Sequence, residues 1–197
     1  MPGIVGTKHN QVPSNQMLGT MAFQNANAVN IGGGRIVIDS AQINGPLNYA
    51  GVKSHWMGEV YMVGNATATT IASTANYVKV AGTTIIGNNM GFDNGGVSNR
   101  LRYTGEVTRM FHVAVSFSFS AASNSQNVEF AVFKNGVRID SSVQETKTGA
   151  AGDVQSTALH VVATLATNDY LEVFCRNLST ASNVTVKNLN FFAMNAN

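Results

Sequence analysis

Cysteine is almost absent from this sequence of 197 residues, because Cys175 is the only one. A framework of internal disulfides is therefore excluded, and core and subunit packing must hold the fold together. Cys175 falls in a run of apolar residues that is typical of a strand. We interpret it as a small buried side chain rather than a reactive thiol.

Charge is also scarce. Asp, Glu, Lys and Arg make up 11% of the chain, against roughly 25% in an average soluble domain. The formal net charge is +2, and the basic residues are scattered without a basic run. Since nucleic-acid binding needs concentrated positive charge, we expect no nucleic-acid partner.

Long apolar runs are missing as well. No stretch reaches the roughly 18 consecutive apolar residues of a membrane span. The first residues, M-P-G-I-V-G-T-K-H-N, lack the charged start and apolar core of a signal peptide. We expect a protein that is made in a cytoplasm and is not inserted into a membrane.

Motifs for catalysis or metal binding are not found. The sequence has no G-x-S-x-G and no phosphate-binding glycine loop. The histidines His9, His55, His112 and His160 lack metal-ligand spacing. Of these, His112 and His160 lie inside predicted strands and are interpreted as structural. The ten carboxylates show no signature, although a glycosidase-like pair could meet in space. We expect no enzyme activity, no metal and no cofactor.

What the sequence does contain is alternation of apolar and polar residues. Residues 111–120, F-H-V-A-V-S-F-S-F-S, place Phe or Val at every odd position, the period of a strand with one buried face. No stretch has helical periodicity, so an all-β antiparallel sandwich is predicted. The strands are predicted at 59–63, 77–80, 83–86, 101–103, 110–120, 128–134, 137–143, 157–165, 170–177 and 184–194.

One turn can be assigned from its residues. Asn135-Gly136 lies between two apolar runs, and a two-residue hairpin turn needs positive φ at both central positions. This pair predicts a hairpin that joins strands 128–134 and 137–143.

The chain divides into three predicted parts. Residues 1–30 contain few periodic apolar positions, and we expect an extended arm that needs a partner surface to become ordered. Residues 31–65, which begin near a triple glycine, predict a small β lead-in subdomain. Residues 66–197 carry the regular strand pattern of the sandwich.

Several strands also carry a second apolar face. Phe133 and Phe174 lie opposite the apolar faces of their strands, and Phe192 does so in the last strand. Leaving such rings in water would forgo roughly 2 to 3 kcal/mol each and favour aggregation. We therefore predict a subunit interface, with loops or the lead-in subdomain as the alternative cover. The predicted interface residues are Phe133, Tyr170, Phe174, Phe192 and Met194.

Two segments resemble proteins of tailed bacteriophages. Residues 19–34, which begin G-T-M-A-F-Q-N-A, resemble a segment that recurs in phage fibre and virion-surface proteins. Residues 99–194, with R-L-R-Y-T-G, F-K-N-G-V-R-I and N-D-Y-L-E-V, resemble the trimeric jelly-roll heads related to the complement and tumour-necrosis-factor fold. The chain lacks the heptad-patterned shaft of a full tail fibre.

The resemblance implies a non-enzymatic homotrimer on the virion surface. It favours a capsid decoration protein, of the cement or head-fibre type, that binds the major capsid protein or another virion protein. A tail-fibre tip that recognises a host surface glycan is the alternative, and a small carbohydrate-active enzyme is the outlier. The predicted capsid-binding residues of the arm are Val12, Met17, Leu18, Met21 and Phe23.

Overall fold

The computed structural model describes residues 56–196. Over this range the chain forms twelve strands and one 3₁₀ turn at Asp140–Ser142, with no α-helix. No helix in residues 56–196 has the length and apolar character that a membrane crossing requires. The strands are β1 Met57–Met62, β2 Val78–Lys79, β3 Ile85–Ile86, β4 Phe92–Asp93, β5 Arg100–Tyr103, β6 Arg109–Ala121, β7 Asn127–Lys134, β8 Val137–Arg138, β9 Gln144–Lys147, β10 Gln155–Leu165, β11 Tyr170–Asn177 and β12 Val184–Asn195.

The strands form two antiparallel sheets. Sheet A has five strands in the order β10-β6-β12-β1-β3. Sheet B has seven strands in the order β4-β5-β11-β7-β8, with β2 paired to β11 and β9 paired to β7. The two sheets enclose one apolar core, so the fold is the all-β antiparallel sandwich that the alternating pattern predicts, in the jelly-roll form that the resemblance implies.

The core is built from the inward positions of both sheets. Phe117 and Phe119 of β6 meet Phe130 of β7, with ring centroids 4.5 and 4.7 Å apart. Cys175 is fully buried beside them in the core cluster, which confirms its interpretation as a structural residue. Burial raises the pKa of the Cys175 thiol to about 12, so this thiol is unreactive at neutral pH.

The long strands are predicted well and the short ones less so. Alternation locates β6, β7, β10, β11 and β12 to within two residues at each end. Asn135 and Gly136 have φ of 51° and 79°, which confirms the hairpin turn. The prediction of one strand over 137–143 is wrong, because β8 ends at Arg138 and the 3₁₀ turn follows.

Hydrogen bonds of the Ser142 side chain explain why the strand stops after Arg138. The Val132 backbone N–H donates to Ser142 Oγ at 2.8 Å, and Ser142 Oγ donates to the Ile139 carbonyl at 2.7 Å. The buried hydroxyl thus replaces ladder bonds that a continuous strand would make with β7. The chain then resumes pairing with β7 through β9.

Strand β1 lies inside residues 31–65, the range of the predicted lead-in subdomain. It pairs with β12 from Met57 to Met62 and forms part of sheet A, so the sandwich includes residues upstream of position 66. The remainder of the predicted lead-in, at 31–55, and the predicted arm, at 1–30, lie outside the described residues.

Candidate functional site

The candidate functional surfaces are the two outer faces of the sandwich. Successive strand residues point to opposite sides of a sheet, so each sheet has one face in the core and one facing outward. Face A denotes the outward side chains of β1, β3, β6, β10 and β12. Face B denotes the outward side chains of the sheet B strands. The two faces differ in what covers them.

One part of face B is covered by a cluster of charged side chains. Glu172 of β11 accepts hydrogen bonds from Lys79 Nζ at 2.7 Å and from Arg100 Nε at 2.9 Å. The Arg100 guanidinium also lies 4.0 Å from the centroid of the Tyr170 ring. The Glu172 carboxylate is almost fully buried. Glu172, Lys79 and Arg100 form an ion triad in which both cations pair with the one carboxylate.

An aromatic cluster covers the rest of face B. Phe133 and Phe174 stack with centroids 4.1 Å apart, and the Tyr77 ring packs edge-on against Phe133 at 5.3 Å. The Tyr77 hydroxyl donates to Glu129, which also accepts from Arg176 at 2.9 Å. Burial, and next the bond to the Glu129 carboxylate, raise the pKa of Tyr77. Phe133 is only 8% exposed, so the chain itself shields this ring.

Face A has a different composition. All six ion pairs among residues 56–196 involve side chains of sheet B or of its loops, and none involves a strand of sheet A. The charged side chains of face A are limited to Glu59 in β1 and Lys187 at a bulge in β12. Large apolar side chains are exposed there: Val162 at 56%, Met110 at 44% and Met194 at 38%.

A shallow, open depression of about 750 Å³ lies on face A. Small side chains of the two adjacent strands β6 and β10, Ser116 and Ala158, contribute to its lining. Tyr61 of β1 and Asn190 of β12 line its other side. Since small side chains permit close approach of another surface, the depression suits a protein contact better than a deep ligand pocket.

A histidine pair stands on the same face. His160 Nδ1 lies 3.4 Å from His112 Nε2, and the rings are stacked with an interplanar angle of 18°. Both residues are exposed. The pair arises from register, because His160 is opposite Ala114 and Val162 is opposite His112. Sequence reasoning missed this pair, since 48 residues separate its members.

The predicted interface residues fall on both sides of the sandwich. Phe133, Tyr170 and Phe174 belong to face B, where they take part in the clusters described above. Phe192 and Met194 belong to face A, in register with Ala114 and His112 of β6. The predicted arm residues Val12, Met17, Leu18, Met21 and Phe23 lie outside the described residues.

Two polar groups of sheet B and its loops take structural roles. Arg100 and Arg102 form ion pairs across strands, with Glu172 and Asp93 respectively. The D-N-G-G segment at 93–96 is a turn, in which the Asp93 carboxylate accepts from Arg102 and from the Gly95 N–H. Residues 56–196 contain no group of three His, Cys, Asp or Glu side chains that could hold a metal ion.

The fold and surface define a jelly-roll sandwich with one nearly uncharged, partly apolar outer face. No protein-family model matches the chain, and no curated protein is similar to it. Among solved structures, it is similar to murine APRIL at pH 5.0, with 11% sequence identity and a TM-score of 0.45. That match covers 71% of this chain and 98% of the other.

Proposed function

We propose that the chain is a non-enzymatic homotrimeric virion protein of a tailed bacteriophage, a capsid decoration protein whose jelly-roll head assembles through face A. The observation that supports assembly through face A is its exposed apolar surface, whose strands make no ion pairs among residues 56–196. The phage assignment is supported by the resemblance of residues 19–34 and 99–194 to virion-surface proteins.

Face A has the composition of a protein contact. Its exposed Val162, Met110 and Met194 surround small side chains, and Phe192 lies among them in register with Ala114. Interface cores are depleted of charge and enriched in aromatic residues and Met. Burying these side chains against another copy removes apolar surface from water at about 25 cal/mol per Å².

The dimensions of face A are compatible with a ring of three. Each subunit of a cyclic trimer contacts two neighbours through two different patches. Five strands spaced at about 4.8 Å give a sheet about 24 Å wide, which offers a patch on each side of the central strand β12. Phe192 and Met194 lie on that central strand.

The attachment to the virion is assigned to the N-terminal arm. Residues 1–30 carry apolar side chains without a strand pattern of their own, which suits a segment that becomes ordered on a coat lattice. Several such arms on one trimer would bind together, and their combined affinity would exceed that of one arm.

Deletion of residues 1–30 tests the arm separately from the head. We expect the shortened protein to keep the sedimentation coefficient of a trimer and to lose binding to purified capsids. The full-length chain and a chain with Val12, Met17 and Leu18 changed to Ser are measured beside it. Capsid binding that survives the deletion would refute the assigned role of the arm.

Copy number distinguishes capsid decoration from a tail-fibre tip. Labelled antibody against the head, counted on intact virions, is expected to bind over the whole capsid in large numbers. Label confined to the tail would overturn the decoration proposal in favour of a glycan-binding tip. A virion without label would contradict the virion assignment itself.

A further inference from the structure

The His112–His160 pair lies within the apolar part of face A. In register with His112 are Val162 of β10 on one side and Met194 of β12 on the other. Met110 precedes His112 by two residues and points to the same side of β6. Val162, Met194 and Met110 are all exposed in the single chain, so a surface that covers them also covers the two imidazoles.

The two rings fit a covered contact while they are neutral. They are stacked with an interplanar angle of 18°, and His160 Nδ1 lies 3.4 Å from His112 Nε2. Neutral aromatic rings attract each other in such a stack, whereas two protonated imidazoles at this distance repel each other, since like charges disfavour the charged form. Removal of water raises the cost further, because a buried charge without a partner is strongly unfavourable.

The strands around the pair supply little opposite charge. The charged side chains of face A among residues 56–196 are Glu59 and Lys187. Glu59 is in β1, which β12 separates from β6, so it lies about 10 Å away across the sheet. Tyr61, also in β1, is a phenol and is uncharged in mild acid. Arg109 of β6 has the parity of the core side, and its guanidinium lies 5.6 Å from the centroid of the Trp56 ring.

We propose that the His112–His160 pair makes assembly through face A dependent on pH, an inference that rests on the proposed function. Neutral imidazoles pack into the subunit contact, and their protonation in mild acid releases the subunits. Imidazole is the side chain that ordinarily changes charge between about pH 5 and 8. The sign follows from linkage: the free subunit, in which both rings are exposed, binds protons more readily than the assembly, so association weakens as the pH falls.

Sedimentation equilibrium of the full-length protein at constant ionic strength tests the proposal. We expect a trimer at about pH 8 and an association constant at least about 100-fold lower at about pH 5.5. Circular dichroism should show the same strand content at both pH values, which distinguishes dissociation from unfolding.

Matched variants assign the effect to the pair. The double variant His112→Gln and His160→Gln cannot gain charge and should associate equally at both pH values. His160→Arg carries a permanent charge and should associate weakly even at about pH 8. The double variant His9→Gln and His55→Gln is the control, and its association should depend on pH as that of the native protein does.

The outcomes separate the pH dependence from the assembly itself. Native association that is equal at both pH values would overturn the pH dependence and leave the proposed trimer intact. The same holds if the variant without His112 and His160 dissociates in acid as the native protein does. A native protein that is monomeric at about pH 8 would overturn the proposed assembly and the pH dependence together.

Discussion

Faces A and B belong to one sandwich but are covered in different ways. On face B, the side chains of β2, β5, β7 and β11 form ion pairs and ring stacks with one another. On face A, apolar and small side chains stand exposed without such partners. Face B is therefore covered within one chain, whereas face A would gain stability from a second protein surface, as we propose.

Truncation of one phenylalanine on each face should give the largest difference between the two faces, in the free energy of unfolding and in subunit association. Phe133→Ala should lower the free energy of unfolding by about 3 kcal/mol, because it opens a cavity beside Phe174 and Tyr77. Its oligomeric state should not change. Chemical denaturation and sedimentation velocity are the measurements.

Phe192→Ala is the matched substitution on face A. It should weaken subunit association and affect unfolding of the separated subunit less than Phe133→Ala does. If Phe133→Ala instead dissociates the protein without destabilising the subunit, face B contains the interface and the contrast between the faces is reversed.

A charge introduced into the proposed subunit contact should have the next largest effect on association. Val162 on face A and Val137 on β8 of sheet B are exposed at 56% and 70%. Val162→Glu would place a charged carboxylate in the proposed subunit contact and should weaken association by about 2 kcal/mol, or about 30-fold. Val137→Glu is the control and should leave association unchanged. Equal sedimentation of both variants with the native protein would contradict the assignment of face A.

The smallest effect is expected at the partly exposed Asp93–Arg102 ion pair. The bond from Arg102 holds the pKa of Asp93 below its ordinary value of 3.8, so this contact stabilises the fold above that value and is lost as the pH falls through the lowered pKa. Asp93→Asn should reduce Tm at pH 7 by at most about 2 °C. The difference in Tm between Asp93→Asn and the native protein should vanish in strong acid. A difference in Tm that grows in acid would contradict the lowered pKa of Asp93.

The alternating pattern was sufficient to predict the long strands and their faces. It placed Phe133, Phe174 and Phe192 on outward faces, because strand side chains have a strict period of two. It did not show that Tyr77 would cover Phe133, since β2 is only two residues long and its pairing with β11 is a tertiary contact.

Other parts of the site depend on sheet register. His112 and His160 meet because β6 and β10 pair with one particular offset, and a shift by one residue would separate them. Likewise, alternation places Phe133 and Phe192 in one predicted interface, because it does not tell which sheet each strand joins. The structure assigns β7 to sheet B and β12 to sheet A.

Cysteine labelling tests most directly whether face A is covered. Ser116 of face A and Ser141 of the 3₁₀ turn are both exposed in the single chain. Ser116→Cys and Ser141→Cys are near-isosteric, and the buried Cys175, whose pKa is about 12, does not compete for reagent. If face A is the subunit interface, the thiol at position 116 reacts at least about tenfold more slowly than the thiol at position 141. Equal rates in the native protein would contradict the account.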